Sequence, residues 1–409
     1  MNNKSYRGTL FDKAYAVTRA DDNKKQGIYP YFRPIEESEG PVVQMEGKKV
    51  IMAGSNNYLG LTTHPSVKEA ARKALDIYGS SCSGSRYLTG TIDMHVELEA
   101  RLAKFMGKEA ALLFTTGYQT GQGTIQPLFS ARGGEYIFSD RDNHASIVAG
   151  NLMVKGSTNA HIVRYHHNDM DSLERYVQKA HSENPEAGKL IVTDGVFSTF
   201  GDVVDLPRLY DIARMYNANV LLDDAHAFGV IGKGGRGTAS EFDLIDEVDL
   251  TLCTFSKTLA SIGGFVVGTE RVINYLKHTS PALIFSASPT PASVASAMAA
   301  LDVLEAEPQL VDKLIFNADY VRRGLRDMGY DVRPGRTAIV PVLIYDDEKA
   351  FKLWKKLYEM GVFVNVFISP ATPPGKAMMR NSFMASHEVH HLDSILDAYR
   401  KAGKEIGII

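Results

Sequence analysis

Between about residue 56 and about residue 295, short apolar runs alternate with amphipathic stretches, and this pattern narrows the fold more than any other feature. The runs ALLF, EYIFSD, HIVRY, KLIVTDGV, VLLDDAH, LTLCTFS and GGFVVG have strand length, and segments such as LPRLYDIARMYNA between them have helical periodicity. Strands separated by helices build βαβ units, so the expected class is α/β with a largely parallel sheet. The flanks differ. Residues 1–55 read as an N-terminal arm: a polar helix candidate, the extended Ile28-Tyr29-Pro30-Tyr31-Phe32-Arg33-Pro34, then a hairpin from VVQM and KKVIM. The large domain is expected over 56–295. The Ala- and Ser-rich SASPTPASVASAMAALDVLEAE predicts a long helix leading into a small α+β domain over 296–409. There TAIVPVLIY and VFVNVFI are strand candidates around the helix FKLWKKLYEM, and LDSILDAYRKAG closes the chain as a helix.

Composition removes several classes. In 409 residues, 44% are hydrophobic and 23% charged, which excludes a disordered or collagen-like chain. A net charge of −3 offers no basic surplus for nucleic acid. Two cysteines, Cys82 and Cys253, are too few for a disulfide framework and suit a reducing compartment. The polar start MNNKSYRGTLFDKAY lacks a signal-peptide core, and no apolar run has the length of a membrane helix. The expected setting is cytoplasmic.

Two literal motif matches carry little chemistry. Gly232-Lys233-Gly234-Gly235-Arg236-Gly237 fits G-x-G-x-x-G, but it comes late and without a clear helix after it, so a flexible surface loop is expected. His387-Glu388-Val389-His390-His391 fits H-E-x-x-H. With Ser386 read as an N-cap, these histidines fall in a first turn, and His387 and His391 point away from the stripe Leu392, Ile395, Leu396, Tyr399. A solvated helix start is expected there, and no metal site.

Three features are tighter. In Leu221-Leu222-Asp223-Asp224-Ala225-His226 an apolar strand ends in a carboxylate, with a histidine three residues on. Ligands of open α/β sheets sit at the C-terminal ends of strands, and a buried carboxylate there needs a cationic partner. A protonated pyridine nitrogen is such a partner. Thr254-Phe255-Ser256-Lys257 also follows an apolar strand, with Gly263-Gly264-Phe265 after it. A lysine at a strand end is a natural Schiff-base former, because burial and nearby cations lower its pKa. Thr115-Thr116-Gly117-Tyr118-Gln119 ends strand ALLF and opens a helix, whose free N–H groups bind phosphate. Ordered together, the three make a pyridoxal phosphate cradle: a carboxylate for the ring nitrogen, a lysine for the aldehyde, and hydroxyls with a helix start for the phosphate.

TFSKTLASIGGF, DDAHAFGVIGKGGRG, NNYLGL, GSRYLTGTIDMHVELE, DNHASI and DGVFSTFGDVVDLP resemble the α-oxoamine synthase family, from about residue 27 to the C-terminus. The resemblance implies a fold-type I pyridoxal phosphate-dependent transferase with a seven-stranded, mostly parallel sheet, working as a homodimer with shared active sites. Such enzymes join an amino acid to an acyl-coenzyme A and release CO2. GIYPYFRPIE, EVDLTL, INYLKH and FSASPTPASVASA resemble most the bacterial members that condense L-serine with palmitoyl-coenzyme A to 3-ketosphinganine, the first step of sphingolipid synthesis. Family members taking alanine with a pimeloyl thioester, or glycine with acetyl-coenzyme A, share the same cradle. An aminotransferase, of another class, shares the fold.

Roles carry over by motif as implications of the resemblance. Lys257 matches the Schiff-base lysine, and Asp223 the partner of the ring nitrogen. His226 and Ser198 match hydrogen-bonding groups near the ring's phenolic oxygen. His144 matches the ring-stacking histidine that also polarises the thioester. Gly117, Tyr118, Thr254 and Ser256 match the phosphate site, and Arg380 the arginine that holds the amino-acid carboxylate. Asn57 and Tyr78 are placed near the substrate, and Ser286 and Ser288 toward the partner subunit's phosphate. Four positions depart from the family pattern: Ala227, Asn381, the Thr199-Phe200 pair, and Ile368-Ser369, where some relatives carry an arginine. The aromatic run Tyr29, Tyr31 and Phe32 either lines an acyl groove or packs the arm. Membrane contact, if made, is peripheral.

Overall fold

The computed structural model describes residues 9–16, 18–129 and 134–409. The first eight residues of the arm lie outside the described part. Fifteen strands form three sheets: β1 (Glu37–Glu39), β2 (Val42–Met45), β3 (Lys48–Met52), β4 (Ala110–Phe114), β5 (Tyr136–Asp140), β6 (His161–Tyr165), β7 (Lys189–Asp194), β8 (Asn219–Asp223), β9 (Leu250–Thr254), β10 (Gly264–Gly268), β11 (Asp331–Val332), β12 (Ile339–Leu343), β13 (Val362–Phe363), β14 (Asn365–Phe367) and β15 (Met378–Ser382).

The central sheet has seven strands in the order β4-β10-β9-β8-β7-β5-β6. β10 runs antiparallel to both its neighbours, and the β9-β8-β7-β5-β6 run is parallel throughout. Every residue of β7, β9 and β10 is buried. Helices cover both faces of such a sheet, so its strands read as continuous apolar runs rather than alternating ones. One apolar cluster, with Leu98, Leu102, Phe228, Phe265 and Leu301, lies apart from a second built on Phe138, Leu173, Ile191 and Leu222. The Ala/Ser-rich segment is the helix Pro291–Ala306, capped by Thr290.

The C-terminal part holds the sheet β11-β12-β15-β14, packed on the helices Gln309–Asp327 and Asp347–Glu359, which Val389–Ile406 covers in turn. The expected hairpin is β2-β3, and its outer strand β3 pairs in parallel with β13, more than 300 residues later in the chain. Val43, Met45, Val50 and Met52 accordingly belong to the same apolar cluster as Trp354, Phe383 and Tyr399. No helix among the described residues is long and apolar enough to cross a membrane.

Two local expectations are overturned. The glycine-rich stretch is packed, not a flexible surface loop: Gly235 and Gly237 are buried, and Gly232, Gly234, Gly235 and Gly237 have φ of 78°, 63°, 78° and 88°. Glycine adopts that region without penalty, and a Cβ on Gly237 would lie 2.1 Å from Asp224 Oδ2. The glycines therefore let backbone close over a buried carboxylate. His387 is also not solvated. It is 0% exposed, and its Nδ1 accepts from the Met384 N–H at 3.0 Å. The helix N-cap is Glu388 rather than Ser386, so His387 precedes the helix and turns inward, where burial pushes its pKa down to about 4. Helical geometry begins two residues later than Ser386 would place it, so His387 has no helical direction to follow. Among the described residues no group of histidine, cysteine or carboxylate side chains is arranged to hold a metal.

Candidate active site

The C-terminal edge of the central sheet gathers the charged groups. β7 and β8 end on Asp194 and Asp223, which are register partners, so two carboxylates stand side by side. Both are buried, at 2% and 4% exposure. Asp223 Oδ1 accepts from the Ala225 N–H at 3.0 Å, and Asp194 Oδ1 accepts from the His144 N–H at 3.1 Å. Burial raises the pKa of both, and the charge of Asp223 pushes Asp194 up further, while Lys257 acts against the rise in each. Lys257 follows β9 and is half-buried. Desolvation lowers its amine to about 8, with Asp223 opposing the fall and Arg380 adding to it. At pH 7 about a tenth of such an amine is neutral, against about one in three thousand for a free lysine.

His226 faces the same group. Burial, then the charges of Lys257 and Arg380, hold its pKa well below the usual histidine range, so the ring is neutral. Its Nδ1 lies 2.6 Å from the hydroxyl of the fully buried Tyr58, whose next oxygen neighbour, Asn56 Oδ1, is 3.5 Å away. That contact holds the ring in place, with the donor set by which ring nitrogen carries the hydrogen. His144 caps the helix Ala145–Ser157, with Nδ1 accepting from the Ser146 N–H at 3.3 Å. Burial lowers its pKa, and the nearby charge of Asp223 works the other way. The Tyr118 ring stands edge-on to it at 6.5 Å.

On the other side of the group, the helix Gly117–Ile125 starts where β4 ends, with Thr116 accepting from the Gln119 N–H at 3.1 Å. The helix start meets the end of β9 closely: a Cβ on Gly117 would be 2.5 Å from Thr254 Oγ1. That hydroxyl lies 2.9 Å from Ser256 Oγ, and Ser256 is exposed. Free backbone N–H groups and two hydroxyls thus face one spot. Ser286 adjoins it, accepting from Gln119 Nε2 at 2.9 Å, and Ser288 Oγ is buried with no hydrogen-bond partner.

Arg380 comes from β15 of the C-terminal part and is 3% exposed. Its Nε donates to the Ser198 carbonyl at 2.7 Å and its Nη1 to Asn56 Oδ1 at 3.1 Å. Among the described residues it has no carboxylate within ion-pair distance, although a buried guanidinium without a counter-charge is costly. Asn57, expected near the substrate, donates instead to Thr62 Oγ1 at 2.8 Å, and its Oδ1 is buried and unpartnered. Asn56, which sequence reasoning passed over, makes the contact to Arg380. Tyr78 donates to Asp93 Oδ1 at 2.6 Å and touches none of this group. The Tyr31 hydroxyl donates to the Val366 carbonyl at 3.2 Å, while Phe32 stands 96% exposed. Asn381, where relatives carry an aromatic residue, donates to the Val340 carbonyl and accepts from the Tyr399 hydroxyl.

A cavity of about 880 Å³ opens beside these residues, walled by Tyr118, His144, Leu152, Ser198, Phe200 and the segment Ser369–Pro374. The residues fit pyridoxal phosphate. Two adjacent buried carboxylates without an ion-pair partner suit a cationic ring nitrogen, an amine with a lowered pKa suits an aldehyde, and a helix start with hydroxyls suits a phosphate. Asp194, Tyr58 and Asn56 are members that sequence reasoning missed; only Asp194, ending the run KLIVTD, left a signal to find.

Comparisons with known proteins agree in extent. A family model for class I and II aminotransferases matches residues 48–398. The chain is 43% identical to serine palmitoyltransferase of Sphingobacterium spiritivorum over 98% of each chain. It is 40% identical to 8-amino-7-oxononanoate synthase of Geobacter sulfurreducens, over 94% of this chain and 97% of that one. Among solved structures, SPT with a PLP internal aldimine gives a TM-score of 0.93 at 33% identity, covering 98% of this chain and 100% of that one. Serine palmitoyltransferase of Sphingomonas wittichii gives 0.91 at 34%, with the same coverage.

Proposed function

The chain belongs to the class I and II aminotransferase family, in its α-oxoamine synthase branch, and from that membership we propose how its residues carry out an acyl transfer. It is a pyridoxal phosphate-dependent acyltransferase that condenses L-serine with a long-chain acyl-coenzyme A, palmitoyl-coenzyme A, to 3-ketosphinganine, coenzyme A and CO2. The observation that carries the division of labour is Arg380, a buried guanidinium lacking a carboxylate partner, beside a lysine with a depressed pKa.

When bound, pyridoxal phosphate supplies an electron-withdrawing ring that stabilises negative charge at the amino-acid Cα. Lys257 would hold the aldehyde until the amino group of serine takes its place, and the amine so freed would take the Cα proton; a pKa near the working pH suits it to both directions of that transfer. Asp223 would pair with the ring nitrogen and keep it protonated. His226, neutral and held by Tyr58, would hydrogen-bond the ring's phenolic oxygen together with Ser198. Arg380 binds the serine carboxylate with two forked hydrogen bonds, which orients the Cα substituents before the proton moves. His144, in the cavity wall, would pack against the cofactor and direct a hydrogen bond at the thioester carbonyl, where negative charge develops. Gly117, Tyr118, Thr254 and Ser256 hold the phosphate.

The protein acts as a homodimer with shared sites. Two loops joined by the bridge between Ser85 and Ala287 expose Tyr87, Leu88 and Phe285, an apolar surface that a second subunit would cover. Its setting is the cytoplasm, and contact with a membrane would be peripheral.

Titrating the holo-protein with serine, glycine and alanine, followed by thiol release across acyl donors, tests the assignment. Thiol release with serine and palmitoyl-coenzyme A is expected. Release with alanine and a pimeloyl donor alone would sink it, and persistent pyridoxamine phosphate without thiol would mean an aminotransferase.

A further inference from the structure

His167 lies between two carboxylates. Its Nδ1 is 3.2 Å from Asp140 Oδ1 and its Nε2 is 2.9 Å from Asp202 Oδ2, with Asp142 Oδ2 at 3.9 Å. A carboxylate oxygen only accepts, so both ring nitrogens must carry hydrogen, and the ring is a bridging cation. Burial opposes that charge, but hydrogen bonds to Asp140 and Asp202 overcome it and raise the pKa to about 10. Asp140 ends β5, and its side chain is fully buried. It also accepts from the backbone of Asp142 at 2.8 Å and of Asn168 at 2.7 Å.

Asp202 closes a small loop. Val196 bridges Val203, the Phe197 N–H donates to the Asp202 carbonyl at 2.9 Å, and the Gly201 N–H donates to the Phe197 carbonyl at 2.9 Å. The His167 ring packs edge-on against Phe197 at 4.4 Å. The tip of this loop, Ser198 to Phe200, walls the cavity beside His144, and the Ser198 carbonyl holds Arg380 Nε at 2.7 Å. One end of the loop is therefore tied to a cation between β5 and β7, and the other to the arginine of the C-terminal part.

We propose that His167 is a positioning residue for Arg380: its bridge from Asp140 to Asp202 sets the 196–203 loop, so that the Ser198 carbonyl presents the guanidinium to the amino-acid carboxylate. The role rests on the assignment of Arg380 to that carboxylate. His167 itself touches no reacting atom. The distances explain why a histidine serves here. A planar ring with donors on opposite sides spans two carboxylates rigidly, whereas a lysine would present a single ammonium on a flexible stem.

The test uses full-length holo-protein and the variants His167→Asn, Asp202→Ala, their combination, and Asp202→Asn, whose Oδ1 still accepts from Nε2. Two readouts are taken: amide exchange of Phe197 and Gly201 by hydrogen–deuterium exchange, and the serine Kd from the cofactor absorbance. His167→Asn and Asp202→Ala should each speed exchange in the loop and weaken serine binding by about tenfold, the scale of coupling within one hydrogen-bond network. The combination should be no weaker than either alone, and Asp202→Asn should restore most of the affinity. Unchanged loop exchange in both single variants overturns the bridge. Faster exchange with an unchanged Kd, or additive losses in the combination, overturns the link to Arg380. If wild-type protein binds none of serine, glycine and alanine, the reading of Arg380 and the positioning role built on it both fail, while loop exchange still decides the bridge.

Discussion

At the scale of single residues, the chemistry depends on which charges are left without a counter-charge. Lys257 sits near Asp223 and Asp194, yet burial outweighs their attraction and leaves the amine at about 8. An aldehyde reacts with the neutral amine only. Below about pH 8 the protonated form dominates and is inert, so cofactor incorporation into the apo-protein should quicken about tenfold per pH unit from 6 toward 8 and level off above. Stopped-flow absorbance of apo-protein mixed with pyridoxal phosphate reads this directly. A rate that still climbs steeply from pH 9 to 10 would mean an ordinary surface lysine. The same logic separates Asp223 from its neighbour Asp224. Asp224 is buried at 0% exposure and desolvation pushes it up to about 7, but both its oxygens are taken by Thr238, so it is closed to a ligand.

At the scale of elements, the proposed phosphate site depends on a helix start pressed against a strand end. Gly117 is the first residue of its helix, and there is no room for a methyl group between it and Thr254. Gly117→Ala should displace Thr254 or the helix start, at a cost of about 1–3 kcal/mol from overpacking, and weaken cofactor binding by roughly tenfold or more. Fluorescence titration of the apo-protein with pyridoxal phosphate checks this, and wild-type affinity in the variant would remove the helix start from the cradle. The Gly232–Gly237 loop teaches the complementary lesson. Its glycines are needed for positive φ and for closeness to Asp224 and Gly229, and not for any ligand.

At the scale of the whole molecule, the site needs two distant parts of the chain at once. Arg380 arrives on β15, and that sheet is braced by β3 and its hairpin, which share an apolar cluster with the C-terminal helices. The exposed Leu88 and Phe285, at 77% and 85%, mark where a second subunit would sit. Replacing both with glutamate should halve the mass measured by light scattering and abolish thiol release, because charge at an apolar interface core carries an uncompensated desolvation cost. A wild-type protein that is already monomeric at micromolar concentration would end the dimer proposal.

The amino-acid order by itself determined the central sheet, because continuous apolar runs separated by amphipathic ones have few other ways to be buried. It also determined Lys257, Asp223, His226 and the Thr115–Gln119 turn as a set, since each stands directly after such a run, and a strand's C-terminal end is where an α/β sheet exposes side chains to a crevice. Local pattern could not reach further. Nothing in NNYLGL says that Asn56 rather than Asn57 meets Arg380, or that the Tyr58 hydroxyl holds a histidine 168 positions later. His387 read as solvated because periodicity assumes a helix that has not yet begun. Those outcomes were decided by tertiary structure, because hydrogen bonds and desolvation act across space between segments that the chain order keeps far apart.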